Sequence, residues 1–355
     1  VAAGSSATSQ DLHQGFAEAE VLHLAPEDKV LIISDFHMGN GGRSDDLLKN
    51  QDLIQDILEK YYLPQDWYLV LNGDIEELQR YSYTKIRTYW KRLYELYDAF
   101  YERERFYKIL GNHDDDLILE KHYPYPLLGS LRIETPVLPV YVFHGHQGSK
   151  IYTQYNHFIR AGLRYLLKPL GIRNISSGRS PRHRFAVEKK AYDYARTNGI
   201  IAVIGHTHRP LFESLGRFDY IKFEIERLCR EYPLATGEDR KRIADEVLFL
   251  RIELAKLKRS ERRTSIKESL YGDELPVPCL FNSGCAIGKK GINAIELDST
   301  SISLVYWFTE GKGKKFVHRG SYTIDILEGT AQRRSVLNTD RLDYIKAKIE
   351  LLGNP

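Results

Sequence analysis

The sequence predicts an α/β fold, and three observations carry that prediction. Short apolar runs rich in β-branched residues recur at Lys29–Ser34, Trp67–Leu71, Phe106–Leu110, Val137–Phe143 and Ile200–Ile204. Segments with apolar residues at helical spacing lie between them. Each run ends in a cluster of polar, chemistry-bearing residues, and sites in such folds gather at the carboxyl ends of strands.

Length and composition bound the reading. A chain of 355 residues can bury a large core, so one domain with elaborations is expected. A net charge of +3 is too small to argue for nucleic acid by itself. Cys229, Cys279 and Cys285 make no disulfide framework and no Cys-x-x-Cys pair, which favours a reducing, cytoplasmic setting. No stretch is apolar enough for long enough to span a bilayer, and no secretory signal is visible. The only methionine is Met38, so Val1 is not an initiator and a trimmed or tag-like start is expected. Residues 1–27, Ala/Ser/Gly-rich at first, are expected to be disordered.

Taken in order, the first strand ends in Asp35-Phe36-His37. Ser44 is read as the N-cap of a helix reaching about Tyr61, with Leu47, Leu48, Ile54, Ile57 and Leu58 on one face and Pro64 as its breaker. The second strand delivers Gly73-Asp74. One long aromatic-rich helix is predicted over Thr84–Arg105, its stripe from Tyr89 to Phe100 facing the core. The third strand brings Gly111-Asn112-His113-Asp114, and Val137–Phe143 brings His144-Gly145-His146.

A first detour follows over 147–185. It is read as helical from Ile151 to Leu167, then as a basic loop with Arg179, Arg182 and Arg184. A helix over Phe185–Arg196 leads to the strand that ends in Gly205-His206-Thr207-His208. A second detour, 212–275, carries two apolar seams: Phe218, Ile221, Ile225, Leu228 and Tyr232, then Ile243, Val247, Leu250, Leu254 and Leu257. That pattern predicts an antiparallel helical hairpin. The chain re-enters at Cys279–Gly284, and Asn293–Leu297 and Ser301–Phe308 are the last predicted strands. A basic loop and a terminal helix are expected over 311–355.

The five polar clusters offer carboxylate, amide and imidazole donors and no thiolate. Such a set suits Mn²⁺, Fe or Zn²⁺ rather than a structural cysteine-zinc site. Seven side chains are too many for one tetrahedral ion. They fit two ions sharing a carboxylate, a clamp suited to displacement at phosphorus.

In order and spacing, Asp35-x-His37, Gly73-Asp74, Gly111-Asn112-His113-Asp114, His144-Gly145-His146 and Gly205-His206-x-His208 resemble the signature of the calcineurin-like metallophosphoesterase superfamily. Asn282-Ser283-Gly284 adds to the likeness. The resemblance covers about Val30–Phe308 apart from the detours, so the catalytic domain is expected over 28–310. It implies a four-layer α/β/β/α sandwich, with 147–185 as a helical cap insertion and 212–275 as a helical-hairpin insertion. It also implies two divalent ions, Mn²⁺ first among the candidates. Asp35, His37, Asp74 and His208 would hold one, and Asp74, Asn112, His144 and His206 the other. A metal-bridging hydroxide would attack a phosphate ester or pyrophosphate in line. His113 would serve as catalytic acid, with Asp114 fixing its tautomer or, alternatively, capping the next helix.

The substrate is less defined. The sequence lacks the Asp-Arg-Gly of the protein Ser/Thr phosphatases. The layout between His144 and Gly205 resembles UDP-2,3-diacylglucosamine diphosphatases, from which His113, His146 and the hairpin depart. A nuclease or nucleotide phosphodiesterase is an alternative, as is a non-catalytic metal-bound scaffold working through the hairpin. Expected partners are a phosphorylated small molecule or nucleotide-type substrate, contacted by Arg179, Arg182, Arg184 and His146. A second copy, a protein partner or an anionic surface is expected at 212–275, and nucleic acid stays open.

Overall fold

Five strand ends point at one place, and the rest of the fold serves to bring them there. The computed structural model describes residues 3–146, 181–215, 217–261, 277–314, 317 and 322–353. Among these, one sheet has eight strands in the order β12-β13-β11-β10-β2-β3-β4-β5. Its strands are β2 (Lys29–Ile33), β3 (Tyr68–Asn72), β4 (Phe106–Ile109), β5 (Leu127–Leu128), β10 (Ile292–Asp298), β11 (Ser301–Thr309), β12 (Ile324–Ile326) and β13 (Gln332–Arg341). The other has five, in the order β1-β6-β7-β8-β9: β1 (Glu20–His23), β6 (Leu131–Glu134), β7 (Pro139–Val142), β8 (Ile201–Ile204) and β9 (Leu280–Asn282).

The alternation in β2 explains the layering. Val30 and Ile32 join a core shared with Val140, Val142, Ile201 and Val203 of the second sheet. Leu31 and Ile33 face the other way, into a core with Ile54, Ile57, Leu93 and Phe100 of the helices outside. A strand buried on both faces must be apolar at every position, which is how β2 reads. On the far side of the second sheet, Ala191, Tyr192 and Ala195 of the helix Pro181–Asn198 are buried in the same cluster, and Tyr194 of that helix lies against Tyr141 of β7. The result is the α/β/β/α sandwich.

Several local expectations are corrected. Residues 3–27, expected to be disordered, are structured. Ala3–Ala17 is helical and β1 pairs in parallel with β6. Leu12 is buried, Phe16 meets Tyr141 edge-on at 5.2 Å, and Ser130 Oγ donates to the Gly15 carbonyl at 2.9 Å. Tertiary contacts override the weak local composition there. The Ser44–Tyr61 helix instead begins with a 3₁₀ turn at Leu47–Asn50 and continues as Gln51–Ile57 and a π turn to Tyr62. Asp45 rather than Ser44 receives the loop's N–H groups, from Gly41 and Leu47.

The helix drawn over Thr84–Arg105 is two, Tyr83–Tyr89 and Lys91–Tyr101. They part at buried Trp90, whose indole N–H is tied to the Gly39 carbonyl and Asp45. The C-terminal region holds more than a loop and a helix. Strand β13 pairs along β11 before the helix Leu342–Leu352.

The hairpin consists of Arg217–Glu231 and Gly237–Glu261, packed through Ile221, Leu228, Ile243 and Leu250. Most of the first insertion, 147–180 with Arg179, lies outside the described residues. No helix among the described residues is long and apolar enough to cross a membrane.

Candidate metal centre

Every polar cluster sits where a strand ends: Asp35 and His37 after β2, Asp74 after β3, Asn112 and His113 after β4, His144 after β7, His206 and His208 after β8. Main-chain bonds lace these loops together. Asp35 N donates to the Gly73 carbonyl at 3.1 Å, His37 N to the Asp74 carbonyl at 3.0 Å, and Gly205 N to the His144 carbonyl at 3.0 Å. His113 N donates to Asp74 Oδ1 at 2.8 Å. Close approach sets some residue types. A Cβ on Gly111 would lie 2.2 Å from Asp74 Oδ1, and one on Gly73 would lie 2.5 Å from the His144 ring.

Among the described residues, three trios have donor atoms within 4.8 Å of one another: Asp35, His37 and His208; Asp74, His144 and His206; and His37, Asp74 and His113. Asp74 belongs to two of them, and His37 links those to the trio of Asp35 and His208. His208 Nε2 is 3.1 Å from Asp35 Oδ1 and 3.2 Å from His37 Nε2. His144 Nδ1 donates to the Asn72 carbonyl at 2.8 Å, which turns Nε2 toward Asp74 Oδ2 at 3.2 Å. Nε2 is not aligned there for a hydrogen bond, and the Asn112 Oδ1 atom is buried with no partner. Oriented lone pairs, buried and left without N–H donors, fit a cation. The donor set is all oxygen and nitrogen, as divalent Mn, Fe or Zn accept.

Charge is distributed accordingly. Burial raises the Asp74 carboxyl, but His144 and His113 outweigh it and hold Asp74 well below the usual range. Asp35 is lowered in the same way by His208 against its burial. Burial would depress His144, yet Asp74 lifts it to about 9. His206 is pushed down to about 4, by burial and then by the charge on His144.

His113 lies with its ring edge-on to His37, centroids 4.6 Å apart. Its Nδ1 meets both oxygens of Glu77 at 3.0 Å, leaving Nε2 for a substrate or an ion. Burial works against charge on this ring, but Asp74 and then Glu77 raise it to about 9. Glu77 also meets His37 Nδ1 at 3.2 Å. Against its own burial, the hydrogen bonds from His113 and His37 bring Glu77 down to about 2.

The tautomer-fixing carboxylate is therefore Glu77, which the sequence reading missed, and not Asp114. Asp114 Oδ1 accepts from Gly111 N at 2.6 Å, and Oδ2 accepts from Ile75 N at 2.8 Å and from Lys108. Its side chain does not cap the following turn either. The available signal was position: Glu77 lies three residues after Asp74 on the same loop.

His146 is buried beside the second trio, with ring centroids 5.5 Å from His144 and 6.4 Å from His206. Arg182 and Arg184 fall in the first turn of the helix Pro181–Asn198, and their side chains, like Arg179, lie outside the described residues.

Buried carboxylates and imidazoles gathered at the strand ends of a two-sheet sandwich define a candidate metal-dependent hydrolase centre. The chain belongs to the calcineurin-like phosphoesterase family, whose profile matches residues 28–234. Among solved structures it is similar to the E. coli phosphoesterase YfcE, at 11% identity over 88% of this chain and 99% of that one, TM-score 0.32. It is also similar to a single mutant of Vps29 from Entamoeba histolytica, at 10% identity over 80% and 94%, TM-score 0.31. A predicted phosphoesterase from Streptococcus pneumoniae TIGR4 aligns at 13% identity over 79% and 89%, TM-score 0.27. No curated protein matches.

Proposed function

We propose that this protein hydrolyses a phosphate ester or phosphoanhydride bond with two divalent ions, manganese first and iron or zinc as alternatives. The observation that carries the reading is the pair of donor trios, Asp35/His37/His208 and Asp74/His144/His206, linked by Asp74 Oδ2, which lies 3.2 Å from His144 Nε2 and 3.9 Å from His37 Nε2. Asp35, His37, Asp74 and His208 would hold one ion. Asp74, Asn112, His144 and His206 would hold the other. Two such ions supply an acidified water and positive charge at the phosphoryl oxygens.

The chain's own groups supply the rest. Glu77 holds His113 by Nδ1, so the proton that matters sits on Nε2, facing the cluster. In the metal-free chain Asp74 and then Glu77 raise the ring's pKa to about 9, and the bond to Glu77 favours the charged ring that can protonate a leaving oxygen. His146, buried beside the second trio, would line the substrate's path. The hairpin contributes none of the trio residues, so we assign it to partner, self-association or anionic-surface contact rather than to chemistry.

The test is hydrolysis by metal-stripped chain resupplied with Mn²⁺, Fe²⁺ or Zn²⁺. The panel contains aryl phosphate, a phosphodiester, nucleotides and sugar-nucleotide pyrophosphates. Turnover that depends on added metal and disappears in Asp74→Asn is expected. Absence of turnover with every ion and substrate would overturn the reading in favour of the scaffold.

A further inference from the structure

Lysine is rarely buried without a partner, because an ammonium taken from water must regain its solvation from charge and hydrogen bonds. Lys108 stands in the middle of β4 with no exposed side-chain surface. Its Nζ meets Asp114 Oδ2 and, at 3.0 Å, Glu76 Oε2, both on equally buried side chains. None of the three belongs to a donor trio.

What these carboxylates hold is informative. Asp114 accepts from Gly111 N on its own loop and from Ile75 N on the loop of Asp74. Its carboxylate thus clasps the two loops that carry Asp74, Asn112 and His113. Glu76 accepts from Tyr94 Oη at 2.9 Å, which anchors it to the outer helix Lys91–Tyr101, and from Tyr123 Oη at 3.4 Å. Its main chain bridges to Met38, directly after His37. The Lys108 ammonium therefore lies where three ligand loops are tied together. Without it, two carboxylates would face each other in a dry interior. They would separate or take up protons, and either response moves the Ile75 and Gly111 amides that Asp114 holds.

We infer that Lys108, acting through Asp114, is a positioning residue of the metal centre. It fixes the spacing between the Asp74 loop and the Asn112–His113 loop and so sets metal affinity. The inference rests on the reading of the site as a metal centre.

The test uses the full chain, stripped of metal. Mn²⁺ affinity is measured by calorimetric titration for wild type, Lys108→Met, Asp114→Asn and Glu76→Gln. Thermal midpoints in chelator and kcat and KM at saturating Mn²⁺ accompany it. Outer partners of metal ligands typically contribute 10–100-fold in affinity or activity. Lys108→Met and Asp114→Asn are each expected to weaken Mn²⁺ binding by about that factor while remaining folded, with kcat reduced and KM nearly unchanged. Glu76→Gln, which keeps Lys108 paired with Asp114, should stay within about threefold of wild type. If Lys108→Met does not fold, Asp114→Asn decides. A folded variant with a lowered midpoint but wild-type Mn²⁺ affinity and kcat would overturn the inference, making the triad purely a stabiliser of the fold. Wild type that binds Mn²⁺ but hydrolyses nothing would sink the proposed function instead, while the affinity comparison would still judge Lys108.

Discussion

Loading the centre with metal should release protons, and the number follows from the surroundings of two rings. Metal-free His144 has its pKa lifted to about 9 by Asp74, against its burial. At pH 7 that ring is then charged in about 99% of molecules. His206, held at about 4, is already neutral. An ion that takes both rings displaces roughly one proton, from His144. His208, raised by Asp35 against burial, adds to the release at the other position. Ligation needs the neutral ring, so affinity should rise about tenfold per pH unit and flatten above about 9, about 50-fold or ~2.3 kcal/mol between pH 7 and 9.

The metal-free fold should show the reverse trend. A raised histidine pKa gives stability that is fully present below about 6.5 and lost as the pH rises through about 9. Calorimetric titration of Mn²⁺ in buffers of equal pH and different ionisation enthalpy counts the protons directly. Release of less than about half a proton at pH 7, or affinity independent of pH from 6.5 to 9, would refute the argument.

Four further outcomes are expected. Asp74→Asn should lose most bound metal and nearly all activity, and elemental analysis finding two ions per chain would contradict its bridging place. His113→Ala should lower kcat by about 10²–10⁴-fold with metal content near wild type. Since His113 also stands in a trio with His37 and Asp74, metal loss would make it a ligand. Gly111→Ala drives a Cβ to 2.2 Å from Asp74 Oδ1 and 2.3 Å from its backbone nitrogen. It should destabilise by about 1–3 kcal/mol in chemical denaturation and weaken metal binding, and a neutral result would mean the two loops slide freely. Replacing 217–273 by a Gly/Ser linker should leave aryl phosphate hydrolysis intact, because the hairpin packs on its own seam. The cut must spare Ser214, whose Oγ joins the Val277 carbonyl to Leu280 N at the base of β9.

Strands and loops were legible in the sequence because both obey local rules. A strand buried on two faces is a run of apolar residues, and a site at a strand end follows it directly. What escaped depends on partners far along the chain. The N-terminal helix has little apolar signal and is held by Ser130 and Tyr141. Strand β13 (Gln332–Arg341) shows no clean alternation, and its pairing with β11 defines it. Asp114, next to His113, was the natural choice for its partner. Adjacent side chains diverge, however, and Asp114 turns back to Lys108 while Glu77 arrives from 36 residues upstream.

The spacing of the candidate ligand pairs also has a backbone reason. Asp35, His37, Asp74, His206 and His208 all have positive φ, between 47° and 63°. For residues with a Cβ that region costs roughly 1–2 kcal/mol each. The total is thus comparable with the net stability of a whole domain, about 5–15 kcal/mol. Glycine would relieve the strain and remove the donor side chain, so the strain has to be held from elsewhere. The residue between each pair does part of this. Phe36 is buried in the helix-facing core. Thr207 donates to buried Glu188 at 2.8 Å and accepts from Asn282 Nδ2 at 2.9 Å. With the middle residue pinned inward and both neighbours left-handed, the two outer side chains come to the same cluster. Asp-x-His and His-x-His are therefore statements about main-chain geometry as much as about ligand type. The middle position, silent in the ligand chemistry, is where a substitution such as Thr207→Val should loosen the pair without removing a donor.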